Sequence, residues 1–227
     1  MLAPMSRAVR RRAAGLLAAS LLVSLTGCAG LGQPVPYDSP GINGLVIPTP
    51  SPDASDFVAV VDNPWLALEP GTSRTYDVTG AEGAIETEVL AGTTKVAGLT
   101  ATALRTVTDI DGATSDETRF YAQDDDGNVW LVGIDSDTGL SWRAGEDGAE
   151  AGLAMPADLR LGDGWLTYRV ANLLEPSTMV EDVSREMVQV RETAGGEADT
   201  TTRVYESGAG LVSIKDVDAG WQAVLAE

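Results

Sequence analysis

The chain of 227 residues has no histidine, a single cysteine, two lysines and two phenylalanines. Without histidine, Ser-His-Asp and Cys-His catalysis are excluded, as are histidine-ligated zinc sites. One cysteine, Cys28, permits no disulfide within the chain, so a fold must be held by its own core. Neither Lys95 nor Lys215 sits in a Ser-x-x-Lys pattern. Positive charge is scarce: 15 Lys+Arg stand against 34 Asp+Glu, a formal net charge of −19. Phosphates would be repelled, which makes nucleic acid and bare anionic lipid poor partners. The plain meaning of so much acid is a well-solvated surface.

What the chain does have begins at its N-terminus. Arg7, Arg10, Arg11 and Arg12 form a basic stretch, followed by an apolar run from Ala13 to Leu25. That run is too short for a transmembrane helix, which needs about 20 apolar residues, but it has the length of a signal peptide. Leu25-Thr26-Gly27-Cys28 resembles the lipobox of bacterial lipoproteins. The resemblance implies cleavage between Gly27 and Cys28 and a diacylglycerol on the Cys28 sulfur. The protein would then be held on the outer face of the cytoplasmic membrane through its N-terminal lipid. Two or more acyl chains anchor stably where one does not. Export by the general secretory route fits best, although Arg10-Arg11-Arg12 also raises the twin-arginine route. Loss of residues 1–27 removes four arginines and no acid, leaving 11 basic against 34 acidic side chains, a net charge of −23.

Residues 28–56 read as a tether. Six of the eleven prolines, Pro34, Pro36, Pro40, Pro48, Pro50 and Pro52, fall in this stretch, and such segments favour extended, polyproline-like backbone. Residues 41–48, "GINGLVIP", are more apolar than a spacer needs and can dock as an extra strand. From residue 57 to 227 the dominant hydrophobic period is two, broken by Gly, Asp and Asn turns. Strands are expected over 75–79, 84–90, 99–110, 116–123, 128–135, 140–144, 165–170, 201–207, 210–217 and 221–227. Residues 145–164 read as looser chain. "STMVEDVSREMVQV" (177–190) mixes helical and alternating spacing, and a strand from Val180 to Val190 is favoured over a helix. The expectation is one all-β domain with little helix. Its sheet would be a meandering antiparallel one, twisted strongly enough to curl into a half-barrel.

Asn63-Pro64-Trp65-Leu66-Ala67-Leu68-Glu69-Pro70-Gly71-Thr72 with Tyr76, "YAQDDDGNVWLVG" (121–133), "AGEDGAEAGLAMPADLRLGD" (144–163) and "YESGAGLVSIKDV" (205–217) carry a further likeness. Together they resemble a group of uncharacterised secreted proteins and lipoproteins typical of high-GC Gram-positive bacteria. These are turn-and-strand signatures, so they imply a shared fold and no chemistry. Arg74 stands where that group usually has an aromatic residue. More loosely, the pattern is similar to the LolA/LolB-like carriers, whose curved antiparallel sheet wraps an apolar cavity; this is fold-level analogy.

Candidate sites are few. Asp124-Asp125-Asp126-Gly127-Asn128 offers oxygen ligands suited to calcium. Counted from Asp124, however, Val129 falls where an EF-hand loop needs glycine and Asp135 where it needs glutamate. An acidic hairpin turn accounts for these residues without a metal, and nothing calls for a cofactor. Asp109, Asp111, Asp116, Glu117, Asp135 and Asp137 supply carboxylates near turns, but no pattern sets two at the spacing of a glycoside hydrolase. Trp65, Tyr121, Trp130 and Trp142 are the candidate ligand-binding residues, able to line a concave face or simply to fill a core. Trp130 and Tyr121 are expected on facing strands of one hairpin. The favoured reading is a non-enzymatic binding or accessory module for an apolar ligand or an envelope protein. A wall-polysaccharide hydrolase and a scaffold lipoprotein without a pocket are the alternatives.

Overall fold

The alternation of period two runs through the residues that the computed structural model describes, 53–194 and 200–227, and folds most of them into strand. The expected signal peptide, Cys28, the 41–48 stretch and the part of the expected tether before Asp53 lie outside the described residues. A single 3-10 turn, Ala54–Asp56, is capped by the Asp53 carboxylate and leads into β1 (Phe57–Val58). Five strands follow: β2 (Ser73–Thr79), β3 (Gly83–Val96), β4 (Leu99–Ile110), β5 (Ala113–Asp124) and β6 (Val129–Ser136). Four short strands come next, β7 (Trp142–Arg143), β8 (Glu150–Met155), β9 (Gly164–Leu166) and β10 (Tyr168–Arg169). The chain ends with β11 (Ser177–Val183), β12 (Met187–Thr193), β13 (Thr200–Glu206), β14 (Gly210–Asp216) and β15 (Gln222–Leu225).

All pairing is antiparallel, in the order β10-β8-β6-β5-β4-β3-β2-β15-β14-β13-β12-β11-β9, with β1 beside β5 and β7 beside β6. β9 and β10 stand at the two ends of this path, yet only Thr167 separates them in sequence. The sheet therefore curls beyond a half-barrel into a nearly closed barrel with one seam. Gly152 on β8 makes the seam possible. A Cβ there would sit 2.5 Å from the Leu166 oxygen and 2.5 Å from the Thr167 carbonyl carbon, so only glycine admits the opposing backbone.

Hairpin turns divide between the two ends of the barrel. Turns 80–83, 111–112, 137–139 and 217–221 lie at one end, tied together by Asp111 N–H to the Glu82 oxygen (2.8 Å), Asp137 N–H to the Asp116 oxygen (3.1 Å) and Val217 N–H to the Thr200 oxygen (3.0 Å). Residues 61–71, the "VDNPWLALEPG" segment, cross the other end. Asn63 is 2% exposed and anchors the crossing. Its Nδ2 donates to the oxygens of Gly127 (2.9 Å) and Pro156 (3.2 Å), and its Oδ1 accepts from Trp65 N–H (2.9 Å). Gln123 Oε1 accepts from both Asp62 and Asn63 N–H at 2.9 Å. Trp65 and Leu68 are thereby pushed into the main core, which also holds Leu99, Val129, Leu131, Leu153, Val188 and Val190.

Several local expectations change. The strand expected over 165–170 breaks at Thr167 into β9 and β10, which end the sheet path on opposite sides of the seam, and the strand expected over 84–90 runs on to Val96 as β3. Residues 177–190 form neither a helix nor one strand but most of the β11–β12 hairpin, turned by Ser184, whose Oγ accepts from Met187 N–H at 3.0 Å. The mixed spacing there arises because Val180 on β11 faces Val190 on β12 across the turn. Within the stretch read as loose, Glu150–Met155 forms β8. Its Ala- and Gly-rich sequence has weak strand preference, but burial between β6 and β10 overrides it. Residues 140–144 narrow to the two-residue β7.

Candidate functional site

Because alternate residues of a strand share a face, the barrel interior can be read along each strand. On β5 the inward residues are Ser115, Glu117, Arg119 and Tyr121; on β13 they are Thr201, Arg203 and Tyr205; on β2, Arg74 and Tyr76. The same three-residue unit, arginine-x-tyrosine, occurs on three strands and lines a cavity of about 340 Å³. By the ~30 Å³ that a molecule occupies in liquid water, that is room for about eleven waters or one small organic molecule.

The lining is layered. Leu66 and Leu68 from the crossing segment, with Val89, Leu104 and Leu131, form an apolar floor. Arginines, glutamates and tyrosines make a middle belt. Thr106, Thr108, Ser115, Ser136 and Thr138 carry hydroxyls toward the end where the turns lie, and exposed Thr138 marks that end as open to solvent.

Two ion pairs organise the belt. Arg119 Nε donates to Glu117 Oε1 at 2.6 Å, and Arg203 Nε donates to Glu192 Oε2 at 2.7 Å. These side chains keep 32%, 28%, 21% and 28% of their surface accessible, and all four line the cavity. Each arginine uses only its Nε edge. Its Nη groups make no hydrogen bond to the described residues, and neither do the phenol oxygens of Tyr121 and Tyr205. Arg74, the third cation of the lining, has no carboxylate in ion-pair contact among the described residues.

The environment holds the charge states apart. Burial pulls the Arg119 guanidinium down, but Glu117, Tyr121 and Glu192 more than offset this and keep it above the usual arginine range. Burial likewise works against Arg203, and Glu192 and Tyr205 offset it to the same net direction. Burial pushes the Tyr121 phenol up, with Arg119 and Arg203 opposing; it pushes Tyr205 up as well, with Glu192 adding to it. At neutral pH the belt is charged arginines beside neutral phenols.

The residues expected to bind ligand separate. Tyr121 is on the cavity wall. Trp65, a residue of the crossing segment itself, is buried in the main core, and Trp142 packs on Tyr168 near the seam, centroids 5.1 Å apart at 44°. Trp130 gives its Nε1 to Asp124 Oδ2 at 2.8 Å, and neither it nor Trp142 lines the cavity. Trp130 and Tyr121 lie on paired strands, but Tyr121 faces Leu131 and Trp130 faces Ala122. The Asp124 carboxylate also accepts from Asn128 N–H at 2.8 Å, so this acidic turn is a self-capped hairpin. Among the described residues no group of three or more Asp, Glu, Cys or His is placed to hold a metal.

The turn carboxylates have structural partners too. Asp116 pairs with Arg105 on the outer face, Asp135 pairs with Arg143 at 2.6 Å, and Asp111 Oδ1 accepts from Glu82 N–H at 2.9 Å. Asp137 Oδ1 accepts from Asp116 N–H at 3.0 Å. Glu117 alone of the six candidates clearly enters the cavity wall, and it is already an arginine partner. Sequence reasoning did not single out Arg119, Glu192 or Arg203 as site residues. The available signal was the repeated arginine-x-tyrosine spacing within alternating strands. Comparison with models of known protein families, with curated proteins and with solved structures finds no match to this chain.

Proposed function

We propose that this protein is a non-enzymatic binding module, lipid-anchored through Cys28 on the outer face of the cytoplasmic membrane, that takes a small ligand into its barrel cavity. One observation carries the reading: about 340 Å³ of space inside the barrel is lined by Arg119, Arg203, Tyr121 and Tyr205, whose Nη groups and phenol oxygens make no hydrogen bond to the described residues. A scaffold would fill such a space with apolar side chains, since an unfilled cavity is costly. A polysaccharide hydrolase needs two carboxyls free to act as acid and as base or nucleophile. Both glutamates of this cavity are engaged with arginine. The belt also narrows the expected apolar ligand to one with at least one polar group.

Native mass spectrometry of the full-length protein, released gently from membranes, tests this. A small molecule bound with one-to-one stoichiometry is the expected result. A spectrum of bare protein, together with no binding from a panel of neutral and charged small molecules, refutes it.

A further inference from the structure

The five charged side chains of the cavity wall are Arg74, Arg119, Arg203, Glu117 and Glu192. With the glutamates ionised they sum to one positive charge, inside a chain whose formal net charge is −19. The geometry is as specific as the sign. Glu117 and Glu192 occupy the Nε edges of Arg119 and Arg203, two residues of the cavity lining, and leave their Nη groups without a hydrogen bond to the described residues. A guanidinium fork matches a carboxylate in shape and donates two parallel hydrogen bonds to it. Tyr121 and Tyr205, each two residues along its strand from one of these arginines, add neutral O–H donors.

Resting on the cavity reading above, we propose that the ligand is a small organic monocarboxylate. Its carboxylate is held in the belt by Arg119 and Arg203, and its apolar body points to the floor formed by Leu66, Leu68, Val89, Leu104 and Leu131. One negative charge neutralises the wall, whereas a phosphate dianion would leave an uncompensated charge in a strongly acidic protein. The register gives the same orientation. On the paired strands Leu131 is level with Tyr121 and Leu104 with Arg119, whereas Thr106 is level with Glu117, so along β5 the leucines lie toward the Tyr121 end of the belt and the hydroxyls toward its Glu117 end.

The test is isothermal titration of the full-length protein with 4-phenylbutyrate, its neutral isostere 4-phenylbutyramide, and phenyl phosphate. The carboxylate is expected to bind at least about tenfold more tightly than the amide, the size of one charge-assisted hydrogen bond. R119M and R203M, checked for native circular dichroism, should each weaken it by about tenfold or more. E192Q, which removes a competing carboxylate and preserves shape, should tighten it. If the wild-type protein binds carboxylate and amide equally, the anion assignment fails while the cavity reading stands. Tighter phenyl phosphate also overturns the assignment. Binding of none of the three up to millimolar concentration counts against both readings. The wild-type comparison decides even where an arginine variant does not fold.

Discussion

Replacing Gly152 by alanine should loosen the seam, and the structure sets the size of the effect. The new Cβ would stand 2.5 Å from the Leu166 oxygen, 2.5 Å from the Thr167 carbonyl carbon and 2.6 Å from the Thr167 oxygen. Ordinary contact for a Cβ begins near 3.4 Å, so the backbones of β8 and the β9–β10 link must part by about 1 Å. These are backbone atoms, which cannot rotate aside as a long side chain can. Overpacking of this kind costs about 1–3 kcal/mol. Gly152 has no positive φ, so the penalty is steric alone, and alanine recovers about 0.4–1 kcal/mol by restricting the unfolded chain. Because the contacts are with backbone the upper part of the overpacking range applies, about 2–3 kcal/mol, and the net loss of about 1–2.6 kcal/mol lowers Tm by about 2–10 °C in a domain of this size. Thermal unfolding followed by tryptophan fluorescence is the assay, because Trp165 on β9 and Trp142 against Tyr168 both report on the seam. A Gly152→Ala protein as stable as the parent, or more so, would refute the account of how the barrel closes.

Asn63→Ala removes three side-chain hydrogen bonds from the crossing segment. At roughly 1 kcal/mol each, urea unfolding should show a loss of about 3 kcal/mol; a loss below 1 kcal/mol would mean that the segment does not depend on this anchor. Burial raises the phenols of Tyr76, Tyr121, Tyr168 and Tyr205 above the ordinary value of 10.0. The unfolded chain therefore releases these protons first. Stability is full below pH 10 and falls as pH rises from 10 toward the folded values, and phenolate absorbance near 295 nm should lag behind that of free tyrosine. Titration of all phenols at the model-compound position in the folded protein would contradict this. Cys28→Ala should abolish incorporation of labelled palmitate and release the protein from membranes, and continued labelling would remove the anchor from the picture.

Much of the barrel is legible in sequence, for reasons that differ by strand. β4 coincides with the expected 99–110 because "LTATALRTVTDI" is rich in threonine, valine and leucine and Asp111-Gly112 ends it, both residues taking positive φ. β8 was invisible because "EAGLAM" has neither alternation nor strand preference; it is a strand because β6 and β10 supply its hydrogen bonds. Barrel closure was not legible either, since it depends on Gly152 meeting a backbone fifteen residues away. The site was harder still. Tryptophans drew attention as large apolar bodies, but Trp65, Trp130 and Trp142 are all spent on core packing, Trp130 with its Nε1 bonded to Asp124. The residues that do face the cavity are arginines and threonines, types that on a half-exposed sheet normally point to water. Only the closure of the barrel turns that face inward.

The sign of the belt is the hardest feature to attribute to composition. Acidic side chains outnumber basic ones by more than two to one in the chain, yet three arginines and two glutamates line the cavity. Charged groups held away from bulk water contribute little to stability, and apolar replacements of similar volume are often neutral or better. The cost is visible in the packing. Tyr76, Ile85, Ile214 and Ala223 form a small apolar cluster separate from the main core, and the cavity borders both clusters. A barrel selected only for stability would join these clusters across the middle with leucine and valine at positions 119 and 203. On the proposed binding function, two guanidiniums there, each held by a glutamate on its Nε edge, keep their Nη groups available to a ligand. That is the arrangement a binding site needs if little ordering is to be done on association.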